Sequence, residues 1–498
     1  MFEDQAVIAM PAEHGGNHAV DVVGKVESRG IDQIPEAERH GRPRELFWVW
    51  FAANIAYLYF TLGGAVILLG LSLWQSVIVL FVGNLYWVGV GLLAISGPVS
   101  GTPSVVVTRA MFGIRGNRPL SAGVGWLVAI CYEFINLAIG SLAGFALAER
   151  LGVEVSVPVK IAILLVTAVV TFTVSIYGHA TIARLSPIFS IVLAVAMAVL
   201  GSFVIGHANF DYQPETALQG NELLVAVLLG ISITAAIPLS WATGADYARY
   251  LPRTVSAKKV LVWTGLGGFL PSFLIGVLGV IAGTSIDMQD AQSSLEAILP
   301  AWFYPILLLV IMFSSMTSNI LTAYSSGLCL QSLGIRMSRA RTVFLDGLIS
   351  CALAAYAIFN NDFLGSLSQT LELTVVVLAP SMAIYVADIL LRKNRYDGAE
   401  LHKENPQGRH WYWGGWSVNG VVSFGLGSVV NLLCVHTSTY QGPVSGLLGG
   451  RTFRPSLARS CRPFATSFCG PSPGILKAVP RHVPNKGSAH DKDMDRPR

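Results

Sequence analysis

The chain has 498 residues, of which 53% are apolar and only 12% charged, with 33 Lys plus Arg against 29 Asp plus Glu. So apolar a composition excludes a disordered polymer and an ordinary water-soluble domain, and a net charge of +4 calls for no nucleic-acid partner. Apolar runs of about 20 residues recur, the length that crosses roughly 30 Å of hydrocarbon at 1.5 Å per residue, so the chain reads as an all-α polytopic membrane protein.

Residues 1 to 43 are polar and carry no apolar core ahead of a small-residue cleavage site, so the first span is expected to be retained. Helical spans are predicted at 46–70, 74–97, 120–148, 160–177, 185–206, 222–243, 260–283, 302–330, 342–359, 366–391 and 416–435. Alternate loops are basic: Arg42 and Arg44, then Arg109, Arg115 and Arg118, and later Arg249, Arg253, Lys258 and Lys259. The intervening loops hold only Arg150 and Lys160 as cations. Positive residues near span ends stay in the cytoplasm, which puts the N-terminus on the cytoplasmic side of a cell membrane, plasma or inner. The expected division is a cytoplasmic tail (1–43), a ten-helix core (44–395), a loop with peripheral span eleven (396–450) and an atypical tail (451–498).

Polar groups inside lipid are costly, so they face a cavity or a partner, and Gly or Pro interruptions free backbone groups to bind ions. In span one, Trp50-Phe51-Ala52-Ala53-Asn54-Ile55-Ala56 precedes Gly63-Gly64. Small residues and an amide at mid-span permit a helix break whose carbonyls hold a cation, or equally a tight helix crossing. In span three, Tyr132, Glu133 and Asn136 are read as one helix face offering a ring, a carboxyl and an amide. That set suits a flat uncharged heterocycle; the other reading pairs Glu133 with a polar residue of another helix. Span six ends in Pro238-Leu239-Ser240-Trp241-Ala242-Thr243-Gly244, which predicts an interrupted helix with Trp241 as an aromatic wall or as an interfacial anchor.

Span eight carries Ser314-Ser315-Met316-Thr317-Ser318-Asn319 within a run of Ile, Leu, Val, Met and Phe. Span ten carries Glu372 ahead of Pro380 and then Asp388, which is expected to pair with Arg392 one turn on. Glu372 reads as a pocket residue, a proton site or a group facing the outer vestibule. The six cysteines form no CxxC pair and imply neither a metal nor a disulfide framework. GxxxxGK[ST], HExxH and paired Asp-rich motifs are missing from the sequence, which argues against a pump or an enzyme and for a carrier without cofactors. From Arg451 the composition turns abruptly basic and Pro-rich. Two readings stand: an altered reading frame replacing a twelfth span, or a disordered basic tail.

The ordered set Gly97-Pro98-Val99-Ser100-Gly101-Thr102-Pro103, Arg109 with Phe112-Gly113-Ile114-Arg115-Gly116-Asn117, Tyr132-Glu133 with Asn136, Asp246-Tyr247 with Arg249-Tyr250, Asn319 with Tyr324-Ser325, and Ala379-Pro380 with Asp388 resembles the nucleobase:cation symporter-1 family in its purine/cytosine permease branch. The resemblance runs from about residue 30 to 450. It implies a five-plus-five inverted-repeat, LeuT-like transporter core with spans one and six broken at the midplane, plus peripheral spans, the twelfth apparently lost here. It also implies substrate contacts at Tyr132, Asn136, Trp241 and Asn319. Cation contacts follow at the Ala52 and Ile55 carbonyls and near the Ser314 and Ser315 hydroxyls. Where the branch commonly has Gly-Trp-Glu, this chain has Cys131-Tyr132-Glu133, a smaller ring carrying a hydroxyl. The expected activity is import of a neutral nucleobase, cytosine or purine, by cation symport and alternating access. Glu133 and Glu372 are assigned to the same site, and the coupling ion is sodium or a proton. Allantoin, a hydantoin or a vitamin precursor is the alternative substrate, and a truncated nonfunctional permease the alternative state.

Overall fold

The computed structural model describes residues 22–27, 29–237, 241–288, 291–335, 337–359, 361–434, 440, 442 and 443, and for 241, 292, 293 and 361–373 the backbone alone. The expected twelfth span and the tail from Arg451 lie outside the described residues. Each of the eleven expected spans has a helix. Seven are continuous: span two Leu73–Ser100, span three Arg118–Arg150, span four Val157–Tyr177, span five His179–Gly206, span seven Ala257–Ala282, span eight Tyr304–Ser332 and span nine Arg339–Phe359. Span ten lies in Asn361–Leu391, and the shorter span eleven is Val418–Cys434.

Spans one and six are interrupted, where the sequence placed the breaks. Span one consists of Pro43–Asn54 and Tyr57–Ile67, bent by 64°. Ala56 between them is extended (φ −114°, ψ 145°), and its small side chain lets the chain turn without a clash. Asn54 stabilises the break: its Nδ2 donates to the Trp50 carbonyl (2.7 Å) and its Oδ1 accepts the Tyr59 hydroxyl (2.5 Å) across the gap. Among the described residues, span six runs as a helix over Gly220–Ala235, followed by single turns at Trp241–Thr243 and Ala248–Tyr250.

Close approach of backbones holds the broken span against span seven. A Cβ on Gly63 would stand 1.9 Å from the Gly276 carbonyl oxygen, and one on Gly279 would stand 1.9 Å from that of Phe60. Helices in lipid gain little from burying apolar surface, so contact of this kind through small residues does much of the packing. Span three lies along span eight for most of its length, with span nine against both.

The stretch between spans two and three, read from sequence as a loop, forms two short buried helices, Ser104–Val107 and Arg109–Phe112. Its Val105-Val106-Val107 run is apolar enough to enter the core. Ser104 reaches span six: its N–H donates to Asp246 Oδ1 (2.9 Å) and its hydroxyl accepts from Ala245 N (2.7 Å).

Beneath the bundle, the segment before span one closes one end of the molecule through Glu27. Its Oε1 accepts from Arg249 Nη2 (2.8 Å), the Tyr250 hydroxyl (2.6 Å) and the Tyr324 hydroxyl (3.2 Å). Its Oε2 accepts from His179 N (3.1 Å) and lies 3.6 Å from Arg339 Nε. Arg339 stacks on the Tyr324 ring and also donates to the carbonyls of Ser175 and Ile176. Burial pushes the Glu27 carboxyl up, but Arg339 and Arg249 outweigh it and hold the group below its ordinary range. The expected Asp388–Arg392 pair is present at 2.8 Å.

Candidate functional site

A cavity of about 100 Å³ opens where the two interrupted spans meet spans three and eight. One water needs roughly 10–15 Å³, so the space admits a small molecule. Its aromatic walls are Trp50, Tyr59, Trp87, Tyr132 and Tyr247, and its polar lining includes Asn54, Asn136, Thr243, Ser318 and Ser325. Trp50 meets Trp87 edge to face at 5.5 Å and Tyr247 at 6.0 Å. The Tyr247 hydroxyl is held by the Leu321 carbonyl (2.9 Å), and Trp87 Nε1 donates to Ser272 (3.0 Å). Trp50 Nε1, by contrast, is buried without a hydrogen-bond partner in the protein. A buried donor left open costs free energy, so a guest that accepts from it gains affinity. Flat rings with few directed polar groups are the lining a planar heterocycle requires.

The residues predicted on span three do not share one face. Tyr132 and Asn136 line the cavity, whereas Glu133 does not and its carboxyl turns to span nine, where Ser350 Oγ donates to Oε2 (2.7 Å). Glu133 is rotated about 100° from Tyr132 on the helix, too far to serve the same wall. Asn319 stands behind the wall too: its Nδ2 donates to the Glu133 carbonyl (3.0 Å), and its Oδ1 is buried without a partner. It joins span eight to span three directly behind Tyr132. Trp241 sits in the turn Trp241–Thr243, whose Ala242 and Thr243 line the cavity, but its side chain lies outside the described residues. The Glu372 side chain does also.

The predicted cation donors divide. The first half of span one closes with Ile55 N to Phe51 O (2.9 Å), and the second opens with Tyr59 N to Ala56 O (3.0 Å). The carbonyls of Ala52 and Ile55 fall between these ladders, as at any helix end. Ser314 reaches the break, its Oγ accepting from Tyr57 N at 3.5 Å and donating to the Ile311 carbonyl at 3.1 Å. Ser315 packs elsewhere, with its Cβ against Gly140 of span three.

Sequence reasoning did not select Trp50, Trp87 or Tyr247 for the wall. Each looks like an ordinary apolar or belt residue in its own segment. The break in span one and the fold of span six are what turn them to one space.

The profile of a family described as "Permease for cytosine/purines, uracil, thiamine, allantoin" matches residues 33–452. The chain belongs to this family. It is therefore a multi-pass membrane transporter and not an enzyme. It is 26% identical over 442 residues to a protein named putative purine-cytosine permease YxlA of Bacillus subtilis, covering 86% of this chain and 92% of that one. It is also 26% identical over 486 residues to the purine-cytosine permease fcyB of Emericella nidulans, covering 89% and 90%. Among solved structures it is similar to Mhp1, a nucleobase-cation-symport-1 family transporter, in a closed form with bromovinylhydantoin bound. The TM-score is 0.67 at 16% identity, with 88% of this chain and 93% of that one covered. At that identity the likeness is one of fold, and it makes this permease a member of the LeuT-like architecture. Several motif segments of the permease serve as scaffolding. Arg109, for example, donates to the Leu401 carbonyl (3.1 Å) and pairs with Glu404 (3.1 Å), and Asn117 donates to the Val105 carbonyl (2.7 Å).

Proposed function

We propose that this permease imports a neutral nucleobase, cytosine or a purine, across a cell membrane by cation symport and alternating access, with its N-terminus in the cytoplasm. The observation that carries the reading is the aromatic cavity at the two helix breaks, bounded by Trp50 and Tyr132, with the Asn136 amide on its wall. A base stacks on the rings, its edge bonds to Asn136 and to the open Trp50 N–H, and no charged side chain among the described lining residues selects an ionic solute. Asn319 fixes span three against span eight and presents an open amide oxygen when substrate or a side-chain shift reaches it. Trp241 and Glu372 complete the proposed substrate set. The Ala52 and Ile55 carbonyls with the Ser314 hydroxyl, and Ser315 beside it, are the donors that sodium would use.

Similarity to a Saccharomyces cerevisiae protein named vitamin B6 transporter TPN1, 25% identical over 348 residues, supports a second reading, a heterocyclic vitamin precursor as substrate. Uptake of labelled cytosine, adenine, hypoxanthine, allantoin and pyridoxine by cells expressing the chain decides between them. Saturable uptake of cytosine or a purine, with mutual competition, is expected. Saturable uptake of pyridoxine or allantoin that no base displaces would overturn the nucleobase reading in favour of the second.

A further inference from the structure

Behind span three the structure buries two carboxyl groups that the substrate cavity does not use. Glu133 on span three and Asp346 on span nine are both fully buried. Span three supplies Trp126 two turns before Glu133, and Trp126 Nε1 donates to Asp346 Oδ1 (2.8 Å). Span nine supplies Ser350 one turn after Asp346, and Ser350 donates to Glu133 Oε2 (2.7 Å). The two bonds cross between the same pair of helices, so both carboxyls occupy one interface. Ser326 of span eight is close to both.

Three polar atoms at this interface are buried without a hydrogen-bond partner in the protein: Glu133 Oε1, Asp346 Oδ2 and Ser326 Oγ. Each carboxyl thus has one oxygen bonded and one open.

No cation among the described residues balances the pair. Arg339 is on the same helix as Asp346 but seven residues, about 10 Å, before it, and it is engaged with Glu27 and two carbonyls. The other cations of spans three, eight and nine lie towards helix ends: Arg118 pairs with Glu404, Arg150 pairs with Glu296, and Arg341 is exposed near the start of span nine. Cys131 and Tyr132 of span three, Tyr324 and Cys329 of span eight, and Cys351 of span nine are not cations. Asp246, next to span eight, is held by Ser104 N. Lys160 of span four sits at the far end, over the Phe145 ring. Glu372 lies on span ten, in the part whose side chains are outside the described residues.

Two neighbouring carboxylates cannot both stay ionised in a dry interior, since each raises the cost of charging the other. One added proton eases both difficulties: it leaves the pair a single negative charge and turns one open oxygen into a donor.

We propose that Glu133 and Asp346 together hold one exchangeable proton and that this proton is the coupling ion of transport, an inference that rests on the symport reading above. The proton enters from the outer solution, bonds to an open carboxyl oxygen as the cavity fills, and dissociates to the cytoplasm after substrate leaves. The link to substrate is short. Glu133 lies between Tyr132 and Asn136 in sequence, and its own carbonyl is the acceptor for Asn319.

The test uses the full-length protein in sodium-free proteoliposomes, with an internal pH dye and labelled base, alongside infrared spectra of the same preparations. In the wild type, an inward acid gradient should drive accumulation, and the base should carry protons in with it. The spectrum should contain the carbonyl stretch of a protonated carboxylic acid that Asp346→Asn and Glu133→Gln each shift or remove. Asp346→Asn should keep base-for-base exchange within about twofold, lose gradient-driven accumulation at least tenfold and move no protons, and Asp346→Glu should restore coupling. If Asp346→Asn fails to fold, Glu133→Gln is scored on proton movement and on the infrared band. An acid band insensitive to both substitutions, or proton-coupled accumulation persisting in Asp346→Asn, would overturn the proposal. Wild-type uptake that follows sodium and moves no protons would overturn it as well, leaving the transporter reading intact. Failure of the wild type to exchange any base sinks the substrate reading instead, and the infrared band still decides whether the pair holds a proton.

Discussion

Two buried clusters of ionisable groups lie in the same molecule and are built in opposite ways. At the end closed by the N-terminal segment, one carboxylate, Glu27, meets two guanidinium groups, and both of its oxygens are taken. Between spans three and nine, two carboxyls meet no cation among the described residues, and each leaves one oxygen open. The first arrangement resists change, because removing Glu27 strands two buried guanidinium groups. The second is incomplete as it stands and gains from a small positive guest. On the proposed mechanism the second cluster changes its charge within each cycle, while the first keeps its own.

The largest effect should come from breaking the paired cluster. Glu27→Gln leaves Arg249 and Arg339 buried without a counter-charge, a loss of about 3–5 kcal/mol. Thermal unfolding of the detergent-solubilised protein should show a clearly lowered Tm, and an unchanged Tm would mean that Glu27 does not hold this end together. The same change in the acidic pair should do the reverse. Asp346→Asn removes a like charge, so its Tm should match or exceed that of the wild type.

Next in size is the link between the acidic pair and the cavity. Asn319→Ala deletes the donor to the Glu133 carbonyl together with the open amide oxygen, at a cost of about 1–3 kcal/mol in substrate affinity. Equilibrium binding of labelled base that stayed at wild-type strength would remove Asn319 from the site. Smaller again, Trp126→Phe takes one hydrogen bond from Asp346 while keeping most of the ring. It should lower stability by about 1 kcal/mol and shift the pH profile of uptake without weakening base binding. An unshifted profile would disconnect Trp126 from coupling.

The smallest expected effect separates the clusters by pH. Because the Glu27 carboxyl is held below its usual value of 4.5, its stabilisation is fully present above that value and is lost only as pH falls through the lower, folded-state value. The paired cluster therefore contributes a flat baseline between about pH 5 and 8. Any change in uptake across that window in the wild type should vanish in Asp346→Asn and persist in Tyr250→Phe, which removes the tyrosine hydroxyl that donates to Glu27.

Much of this was legible one segment at a time. Long apolar runs must be helices in lipid, because no other open-ended segment satisfies its own backbone there. Ala52-Ala53-Asn54 in span one, and Pro238 with Gly244 in span six, marked the breaks because small or helix-breaking residues weaken the ladder locally. Tyr132 and Asn136 were readable as one wall because they are four residues apart on a helix. What the sequence could not supply was the rotation of each helix against its neighbours. Glu133 was grouped with Tyr132 although the fold turns it to span nine, and Asp346 drew no notice because a carboxyl near a basic loop looks solvated.

The sequence by itself determined the class, the number and approximate position of the spans among the described residues, the two interruptions and the family, since these depend on local composition and order. Only the tertiary structure decided which side chains share a space. That applies to the Trp50 and Tyr247 wall, to the Glu27 lock and above all to the carboxyl pair. The energy of a buried charge is set by what stands within a few ångströms of it, and those neighbours come from spans hundreds of residues apart in the chain.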